Sequence, residues 1–255
     1  MTKDSLGDRM KFNYENRTRI SLPRRTYTII RLDGKSFHNY TKTCVRPFDQ
    51  QLMNTMDLTA KILCKEIQGC QMAYVQSDEI SLLLTDFTNP QTDAWFDGNI
   101  QKIVSISSSI ATVAFNREVM ELLSPDPYGD LQDLKDWAMF DSRVFTIPDP
   151  TEVENYFIWR QQDATRNSIQ MAAQAVCSHK SLQGANQTKQ HDLMHEQGIN
   201  WNDYSSREKR GGICVKLPNY GWNMVAETPI FTSPEGREFL KGLIPKYVQQ
   251  EEEDV

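Results

Sequence analysis

The stretch QMAYVQSDEISLLLT, residues 71–85, decides the fold that the sequence predicts. Residues 71–76 and 80–85 are rich in the aliphatic and aromatic residues that favour strands, and only three polar residues separate them. So short a connection predicts a tight hairpin of two antiparallel strands, with Asp78 and Glu79 at its tip.

A second strand-like run lies upstream of this hairpin and also ends in an acid. Residues 27–32 favour a strand, and Asp33 and Gly34 follow it in the motif RLDGKSFH of residues 31–38. Gly34 can adopt backbone angles that other residues cannot, which lets the chain approach a ligand closely. Because a lone carboxylate beside an apolar core is costly, we expect Asp33 and Asp78 to share a cation.

The pattern elsewhere in the first 150 residues predicts helices between these strands. Asp49 is the expected N-cap of one helix, residues 100–123 form a long second helix, and residues 140–147 form another strand. This order predicts an α+β fold with an antiparallel sheet and helices on one face. It is the split βαβ arrangement of ferredoxin-like folds, which polymerase palms and nucleotide cyclases use.

The C-terminal part of the chain adds further elements to this palm-like sheet. A helix is expected from about Thr151, a polar stretch over 180–210, and a weakly patterned β-like region over 211–232. We therefore expect residues 1–150 to form a palm-like catalytic core. Residues 151–255 are expected to form an appended helical and β region that completes one compact catalytic domain.

The composition narrows the class of protein and its compartment. The chain has 255 residues, 39% of them hydrophobic, and a net charge of −6, so it carries no global basic signature of a nucleic-acid coat protein. Its five cysteines are odd in number and form no CxxC pair, which argues against a zinc ribbon or a disulfide scaffold. This favours a reducing compartment, and we expect a cytoplasmic protein. No apolar run approaches the roughly 20 residues that span a bilayer, so no membrane partner is expected.

The two acids suit the chemistry of phosphoryl transfer. Mg²⁺ prefers one or two carboxylates together with phosphate oxygens and water, and two such ions clamp the attacking and leaving oxygens. The backbone N–H groups of residues 34–38 follow a strand and are expected to form a concave nest for a triphosphate, with Lys35 and Ser36 as further donors. The alternatives are an ordinary Asp-Gly turn, a solvated hairpin tip and a structural His38.

Two further polar segments suggest contacts with a polyanion. On a helix, Asp163, Arg166 and Asn167 share one face, which indicates either a patch that binds a phosphate or a base, or an exposed salt-bridged surface. The stretch 180–210 is locally basic and is either a phosphate-gripping loop or a solvated one.

Four motifs together resemble one known family. RLDGKSFH at 31–38, QSDE at 76–79, FDSRV at 140–144 and WRQQD at 159–163 are similar, in order and spacing, to the tRNA-His guanylyltransferase family. The resemblance covers roughly residues 5 to 220. It implies a polymerase-like palm and an enzyme that adds nucleotides in the 3′-to-5′ direction to the 5′ end of tRNA, after activating that end with ATP or GTP.

The resemblance also implies roles for individual residues. Asp33, Asp78 and Glu79 are the implied catalytic acids, and Asp33, the carbonyl of Gly34 and Asp78 hold two Mg²⁺ ions. Arg46 stands where the family has lysine, and the implied assembly is a homotetramer. The implied nucleotide-binding residues are Gly34, Lys35, Ser36, Phe37, His38, Arg46, Asp49 and Ser77. The residues expected to contact RNA are Arg143, Arg160, Asp163, Arg166, Asn167, Lys189, Lys209 and Arg210.

One departure from the family pattern bears on the substrate. The guanylyltransferases carry a His-Ile-Asn-Asn-Leu-Tyr-Asn run linked to recognition of the His anticodon, and residues 165–171 read TRNSIQM instead. This resembles guanylyltransferase-like proteins, which implies template-dependent repair of 5′-truncated tRNA. The alternatives are addition of a single G to tRNA-His, a palm-type nucleotide cyclase, whose Gly-Gly-acid hairpin tip is missing here, and a non-catalytic RNA-binding protein.

Overall fold

The structure is a computed structural model that describes residues 5–123 and 137–247. Segments 1–4, 124–136 and 248–255, which belong to the two predicted regions, lie outside the described residues. The boundary expected between residues 150 and 151 falls at the first turn of a helix, and the division into core and appended region stays a prediction.

The described residues form both helices and strands. The helices are α1 (Leu6–Asn13), α2 (Phe37–Tyr40), α3 (Gln50–Glu66), α4 (Ile100–Leu123), α5 (Pro150–Val176), α6 (His179–Leu182), α7 (Gln187–Glu196), α8 (Ser206–Arg210) and α9 (Pro234–Leu243). The strands are β1 (Tyr27–Gly34), β2 (Cys70–Gln76), β3 (Glu79–Leu84), β4 (Phe140–Ile147), β5 (Gly212–Leu217) and β6 (Gly221–Met224).

The strands form one antiparallel sheet in the order β4-β1-β3-β2-β5-β6. The segment from β1 to β4 has the split βαβ connection, with α3 leading from β1 to β2 and α4 leading from β3 to β4. The predicted fold class is therefore confirmed. Strands β5 and β6, which come from the stretch predicted to be β-like, extend the sheet beyond β2.

The hairpin between β2 and β3 is tighter than the sequence predicts. Gln76 pairs with Glu79, so that only Ser77 and Asp78 form the turn. Ser77 has a φ of 48°, the left-handed conformation that such two-residue turns require. Because Glu79 also pairs with Asp33 of β1, the end of β1 and the hairpin turn lie at the same end of the sheet.

Helices α3 and α4 cover one face of the sheet, as predicted. Met56 and Leu63 of α3 and Phe115 of α4 are fully buried in one apolar cluster with residues of β1 and β3. Asp49 caps α3 by accepting a hydrogen bond of 2.9 Å from the N–H of Leu52. Packing of α3 and α4 on this face supports the strands that carry the two acids.

The C-terminal elements form a layer on the opposite face, which the sequence does not reveal. Val153 and Phe157 of α5 and Leu240 of α9 are fully buried against β-strand residues such as Tyr74 and Leu83. All six residues of β3 are buried, because helices cover both of its sides. The helices of the palm-like core are thus on one face, and the appended region supplies the other.

The polar stretch over 180–210 is largely helical in the structure. It contains α6, α7 and α8, and α8 begins with a capping box between Ser205 and Glu208. Within the described ranges, none of the helices combines the length and apolar character needed to cross a membrane.

Candidate active site

The structure brings Asp33 and Asp78 to one cleft of about 560 Å³ at the end of the sheet. Asp33 is the penultimate residue of β1, and Asp78 lies in the hairpin turn. The N–H of Gly34 donates a hydrogen bond of 3.1 Å to the carbonyl oxygen of Asp78, which ties the two segments together. Two acids that are 45 positions apart in sequence therefore face the same space.

The electrostatics of this acid pair favour a cation. Burial raises the pKa of the Asp78 carboxyl above its ordinary value, and the charges of Asp33 and Glu79 raise it further. Among the residues that the structure describes, Asp78 has no ion-pair partner, whereas Asp33 lies 3.6 Å from the half-exposed guanidinium of Arg143. A cation beside Asp78 would relieve this unfavourable ionisation.

The donor set of the cleft fits Mg²⁺ better than a softer metal. The acid pair supplies two carboxylates, which are hard oxygen ligands, and Mg²⁺ is commonly held by one or two carboxylates. Asp49, His38 and Cys44 also line the cleft. In the described part of the chain, no group of three or more His, Cys, Asp and Glu side chains is placed to hold a metal. The protein ligands present thus match an ion that keeps water and phosphate oxygens in its shell.

The loop after β1 presents free N–H groups to the cleft over a shorter span than predicted. The N–H of Gly34 is engaged by Asp78 and that of Lys35 donates to the carbonyl of Met139 at 2.8 Å. The N–H groups of the three following residues have no acceptor within the described residues, and these residues line the cleft. Those three residues are Ser36, Phe37 and His38. Lys35 is exposed and is not among the cleft residues.

Phe37 anchors this loop to the core. Its ring is buried and lies 5.1–5.5 Å from the ring centroids of Tyr40, Phe115 and Phe140. A side chain on Gly34 would clash with the Phe37 ring, so only glycine lets the loop turn this closely. The packing holds Ser36, whose φ is 55°, in a left-handed conformation beside the acid pair.

Asp49 and Arg46 line the same cleft on its far wall. The carboxylate of Asp49 accepts hydrogen bonds from the N–H groups of Leu52 and Val45, and the bond from Leu52 is the main cause of the lowered pKa of Asp49. This acid therefore fixes the loop before α3. Ser77 also lines the cleft, so these three predicted nucleotide-binding residues converge.

Glu79 and Arg160 lie in the interior, away from the cleft. The two oxygens of Glu79 accept hydrogen bonds of 2.8 Å each from the guanidinium of Arg160, and both residues are buried. Arg160 also donates to Asp163 at 2.9 Å, and Asp163 accepts from Arg166 at 2.7 Å. As placed, the Arg160 guanidinium is committed to carboxylates of its own chain and is not presented to RNA.

The other residues predicted to contact RNA do not form one surface. Arg143 lies beside Asp33, and Asn167 is exposed on α5. Lys189 is on α7, and Lys209 of α8 donates to the carbonyl of Asn202 at 2.6 Å. Arg210 ends α8. Of this set, Arg143 is exposed beside Asp33, and Asn167 is exposed at a smaller pocket that adjoins the cleft.

Arg31 is a candidate that the sequence reasoning missed. It pairs across the sheet with Arg143, and its guanidinium lies 3.6 Å from Glu79. Its Nε is buried without a hydrogen-bond partner in the described residues, so an anion beside it would be stabilised. The available signal was its position two residues before Asp33, which puts both side chains on one side of β1.

The chain was compared with models of known protein families. The family model for tRNAHis guanylyltransferase matches residues 7–148, which is more than half of the chain. The chain belongs to the tRNAHis guanylyltransferase family. A curated member, the tRNA(His) guanylyltransferase of Debaryomyces hansenii, is 29% identical over 208 residues, which cover 76% of this chain and 75% of the relative. This chain is therefore a nucleotidyltransferase of tRNA processing.

Solved structures of this family share the fold over nearly the whole chain. A bacterial tRNA(His) guanylyltransferase-like protein in complex with ATP is 46% identical, with a TM-score of 0.84 and coverage of 94% of this chain and 99% of that one. A second structure of a bacterial guanylyltransferase-like protein, in complex with GTP, is 41% identical with a TM-score of 0.78 and the same coverage. The yeast enzyme, from Saccharomyces cerevisiae, shares the fold at 22% identity and a TM-score of 0.70, over 88% of this chain and 96% of its own.

Proposed function

We propose that this guanylyltransferase-family enzyme adds nucleotides in the 3′-to-5′ direction to the 5′ end of tRNA, after activating that end with ATP or GTP. The observation that carries the proposal is the convergence of Asp33, Asp78 and the unpartnered N–H groups of residues 36–38 on one cleft. The ATP and GTP complexes of the bacterial guanylyltransferase-like proteins support nucleotides of this kind as substrates.

Two displacements at phosphorus make up the proposed reaction. A 5′-phosphate oxygen of the RNA attacks the α-phosphorus of ATP or GTP, and pyrophosphate leaves. The 3′-hydroxyl of a second nucleoside triphosphate then attacks the activated 5′ phosphorus, and the nucleoside monophosphate leaves. Both steps build negative charge on phosphate oxygens, so the site must hold and neutralise polyphosphate.

The residues of the cleft divide this work between anion binding and cation binding. The N–H groups of residues 36–38 donate to phosphate oxygens, and Arg143, which lies 3.6 Å from Asp33, adds positive charge beside the acid pair. Asp33, Asp78 and the carbonyl of Gly34 would hold the two Mg²⁺ ions. When bound, those ions would neutralise the negative charge that develops on the phosphate oxygens.

We assign Glu79 and Arg160 a positioning role. Their buried ion pair joins the first residue of β3 to α5, and α5 carries Met171 and Gln174 on the wall of the cleft. The pair therefore fixes the distance between the hairpin turn with Asp78 and the opposite wall. Replacing Glu79 should misplace Asp78 without removing a reacting group.

Template-dependent repair of 5′-truncated tRNA is the proposed role within the family. The support is the sequence TRNSIQM at 165–171, which replaces the run linked to the His anticodon in the guanylyltransferases. In the structure these residues lie on α5, with Asn167 exposed and Ser168 accepting a hydrogen bond of 3.0 Å from Trp201. The competing specificity is addition of G to tRNA-His alone.

A homotetramer in the cytosol completes the proposal. No residue of α1 is buried in the single chain, and several large apolar side chains are exposed in and after this helix, which suits an interface with another copy. The exposed residues are Leu6, Met10, Phe12, Tyr14 and Ile20. All five cysteines are free, which supports a reducing compartment. Light scattering coupled to gel filtration measures the assembly, and a monomeric mass would contradict it.

The decisive experiment extends a panel of tRNAs that lack the first 5′ nucleotide, with Mg²⁺ and each nucleoside triphosphate in turn. Template-dependent repair predicts that the added base complements the opposite nucleotide in every tRNA. Addition of G alone, and only to tRNA-His, would replace the repair role with the guanylyltransferase one. GTP without RNA is the arm that detects a cyclase, and absence of extension by a folded, RNA-binding protein would overturn the enzyme proposal.

A further inference from the structure

A second, smaller pocket of about 80 Å³ adjoins the cleft and has no role in the proposed reaction. It lies where the start of α3, the hairpin, α5 and α8 meet. We name it the amide pocket after the side-chain amides of Gln76 and Asn167. Its lining also includes Phe48, Leu52, Ala164 and Met171. The residues that line both the amide pocket and the cleft are Asp49, Leu52, Ser77 and Met171.

Gln76 is a buried residue of this pocket whose side-chain amide lacks a hydrogen-bond partner in the described residues. It is only 4% exposed, and its side-chain amide makes no hydrogen bond within the described residues, with Oε1 wholly shielded. A buried amide without a partner is costly, and most buried polar groups in proteins have one. Because the two ends of an amide exchange by a half turn, Gln76 can offer the pocket either a donor or an acceptor.

Asn167 is a second uncommitted amide on the same pocket. It is exposed on α5, and its side chain has no hydrogen-bond partner in the described part of the chain. The amide pocket therefore offers two amides, one buried and one at its rim. An amide presents a donor and an acceptor side by side, which is the pattern that reads a base edge.

The charged groups around the pocket already have hydrogen-bond partners in the protein. The guanidinium of Arg207 is held by two oxygens of Asp57 at 2.7–3.2 Å, and Glu208 accepts hydrogen bonds from Ser205. Asp49 accepts from two backbone N–H groups. Among the described residues that line the pocket, the one cation is thus paired with Asp57, and both carboxylates are engaged by neutral donors, which favours a neutral ligand over a phosphate.

The remaining lining is mostly apolar and includes one aromatic ring, with Ser77 and Ser168 as its polar members. Phe48, Leu52 and Met171 provide surfaces suited to a flat, uncharged ring, and Phe48 is fixed by an edge contact with Tyr204 at 5.0 Å. A planar heterocycle with donors and acceptors on its edge satisfies both the apolar walls and the amides. Among the substrates of a tRNA-processing enzyme, nucleobases have this chemistry.

We propose that the amide pocket binds a nucleobase and that Gln76 and Asn167 read its hydrogen-bonding edge. This inference rests on the proposed function, because the shared wall places the base next to the site proposed for phosphates. The base belongs either to a free nucleoside triphosphate or to the RNA, and both sources present the same edge. Gln76 and Asn167 are thus specificity-determining residues.

The test measures binding rather than transfer, with three probes: inorganic tripolyphosphate, each nucleoside triphosphate, and a 5′-hydroxyl tRNA that cannot be activated. The variants are Asn167→Leu and Gln76→Met, which keep size and remove the amide. The matched control is Asn155→Leu, an exposed position on the same helix outside the pocket. Circular dichroism establishes that each variant is folded.

We expect each variant to weaken binding of at least one nucleoside triphosphate about tenfold and to leave tripolyphosphate binding unchanged. A tenfold loss confined to the tRNA would assign the base to the RNA instead. Unchanged binding of all triphosphates and of tRNA by Asn167→Leu would overturn the proposal, even if Gln76→Met fails to fold. Failure of the wild-type protein to bind tripolyphosphate would contradict the phosphate-binding role proposed for the cleft. In that case, binding of free adenosine or guanosine to the wild type and the variants would still test whether the amide pocket binds a base.

Discussion

Asp78 and Glu79 are neighbours in sequence, yet they belong to two different regions of the molecule. Asp78 lies in the hairpin turn and faces the cleft, where burial and nearby acids raise its pKa and where the described residues offer it no ion pair. Glu79 begins β3 and faces α5, where Arg160 meets both of its oxygens. One acid is left for a ligand, and the other is matched by the protein itself. Position along a tight turn therefore separates an acid that is open to a ligand from an acid that is paired within the protein.

The largest effect is expected on the cleft side, from Asp78→Asn. This change removes one of the two carboxylates proposed to hold Mg²⁺, whose contribution of several kcal/mol corresponds to a loss of roughly 10³-fold in transfer rate. Single-turnover extension of a 5′-triphosphorylated, truncated tRNA measures it. The control is Asp192→Asn, an exposed acid on α7, which should retain full activity. A loss below tenfold for Asp78→Asn would remove Asp78 from the reaction.

On the α5 side, Arg160→Met should act mainly on stability. It leaves the buried Glu79 carboxylate with only the more distant guanidinium of Arg31, 3.6 Å away, which costs up to about 3–5 kcal/mol in the free energy of unfolding. Urea denaturation measures this cost. The control Arg166→Ala removes an exposed ion pair to Asp163 and should cost less than about 1 kcal/mol.

The double variant Glu79→Leu with Arg160→Met refines this result. Replacing both charges by apolar groups removes the buried carboxylate and should recover part of the lost stability. The recovery is only partial because Glu79→Leu also removes the acid that lies 3.6 Å from Arg31. Stability that stays as low as in Arg160→Met alone would mean that the ion pair is not what Arg160 contributes.

A smaller effect on rate is expected for Glu79→Gln. This variant keeps the shape and one acceptor, so it should displace the hairpin only slightly and lower the rate of transfer about tenfold, as changes to residues that orient a site do. The Michaelis constant for the triphosphate should rise less than the turnover number falls. A loss as large as that of Asp78→Asn would show instead that Glu79 acts on the reacting groups, as the sequence predicts.

The smallest effect is a pH dependence of stability. Because the pKa of Asp78 is raised in the folded protein, its contribution to stability is present below the ordinary value of 3.8 and is lost as pH rises through the raised pKa. In the absence of divalent cations, Asp78→Asn should therefore melt above the wild type at pH 7. This gap should narrow as the pH approaches 3.8.

Added Mg²⁺ provides the control for this pH effect. It should raise the melting temperature of the wild type and not that of Asp78→Asn, because only the wild type has the full set of proposed ligands. Equal melting curves at pH 7 without cations would contradict the raised pKa of Asp78.

Much of the palm-like core was predictable, because its signals are local. The hairpin at 71–85, the strand that ends at Asp33 and the helix capped by Asp49 each depend on residues a few positions apart. Their order then allows few sheet topologies, and one of them brings Asp33 and Asp78 together. The turn was predicted one residue too long, since a polar residue at a strand end cannot be told from a turn residue by composition.

The partner of a buried charge was beyond such reasoning. Glu79 and Arg160 are 81 positions apart, and nothing local distinguishes a buried glutamate from a catalytic one. The same holds for Gln76, whose lack of a hydrogen-bond partner is visible only when all of its neighbours are in place. The N–H group of Lys35 is likewise engaged by Met139, a contact between two loops.

The sequence by itself determined the alternation of strands and helices, the ends at which the acids lie and, through its motifs, the family. Only the tertiary structure decided that α5 covers the second face of the sheet, that Glu79 is neutralised by Arg160, and that an amide pocket opens beside the cleft. The physical reason is the distance along the chain over which each interaction acts. Backbone preference and hydrophobic periodicity act over one or two turns, whereas burial, ion pairing and cavities depend on residues that meet only after the chain has packed.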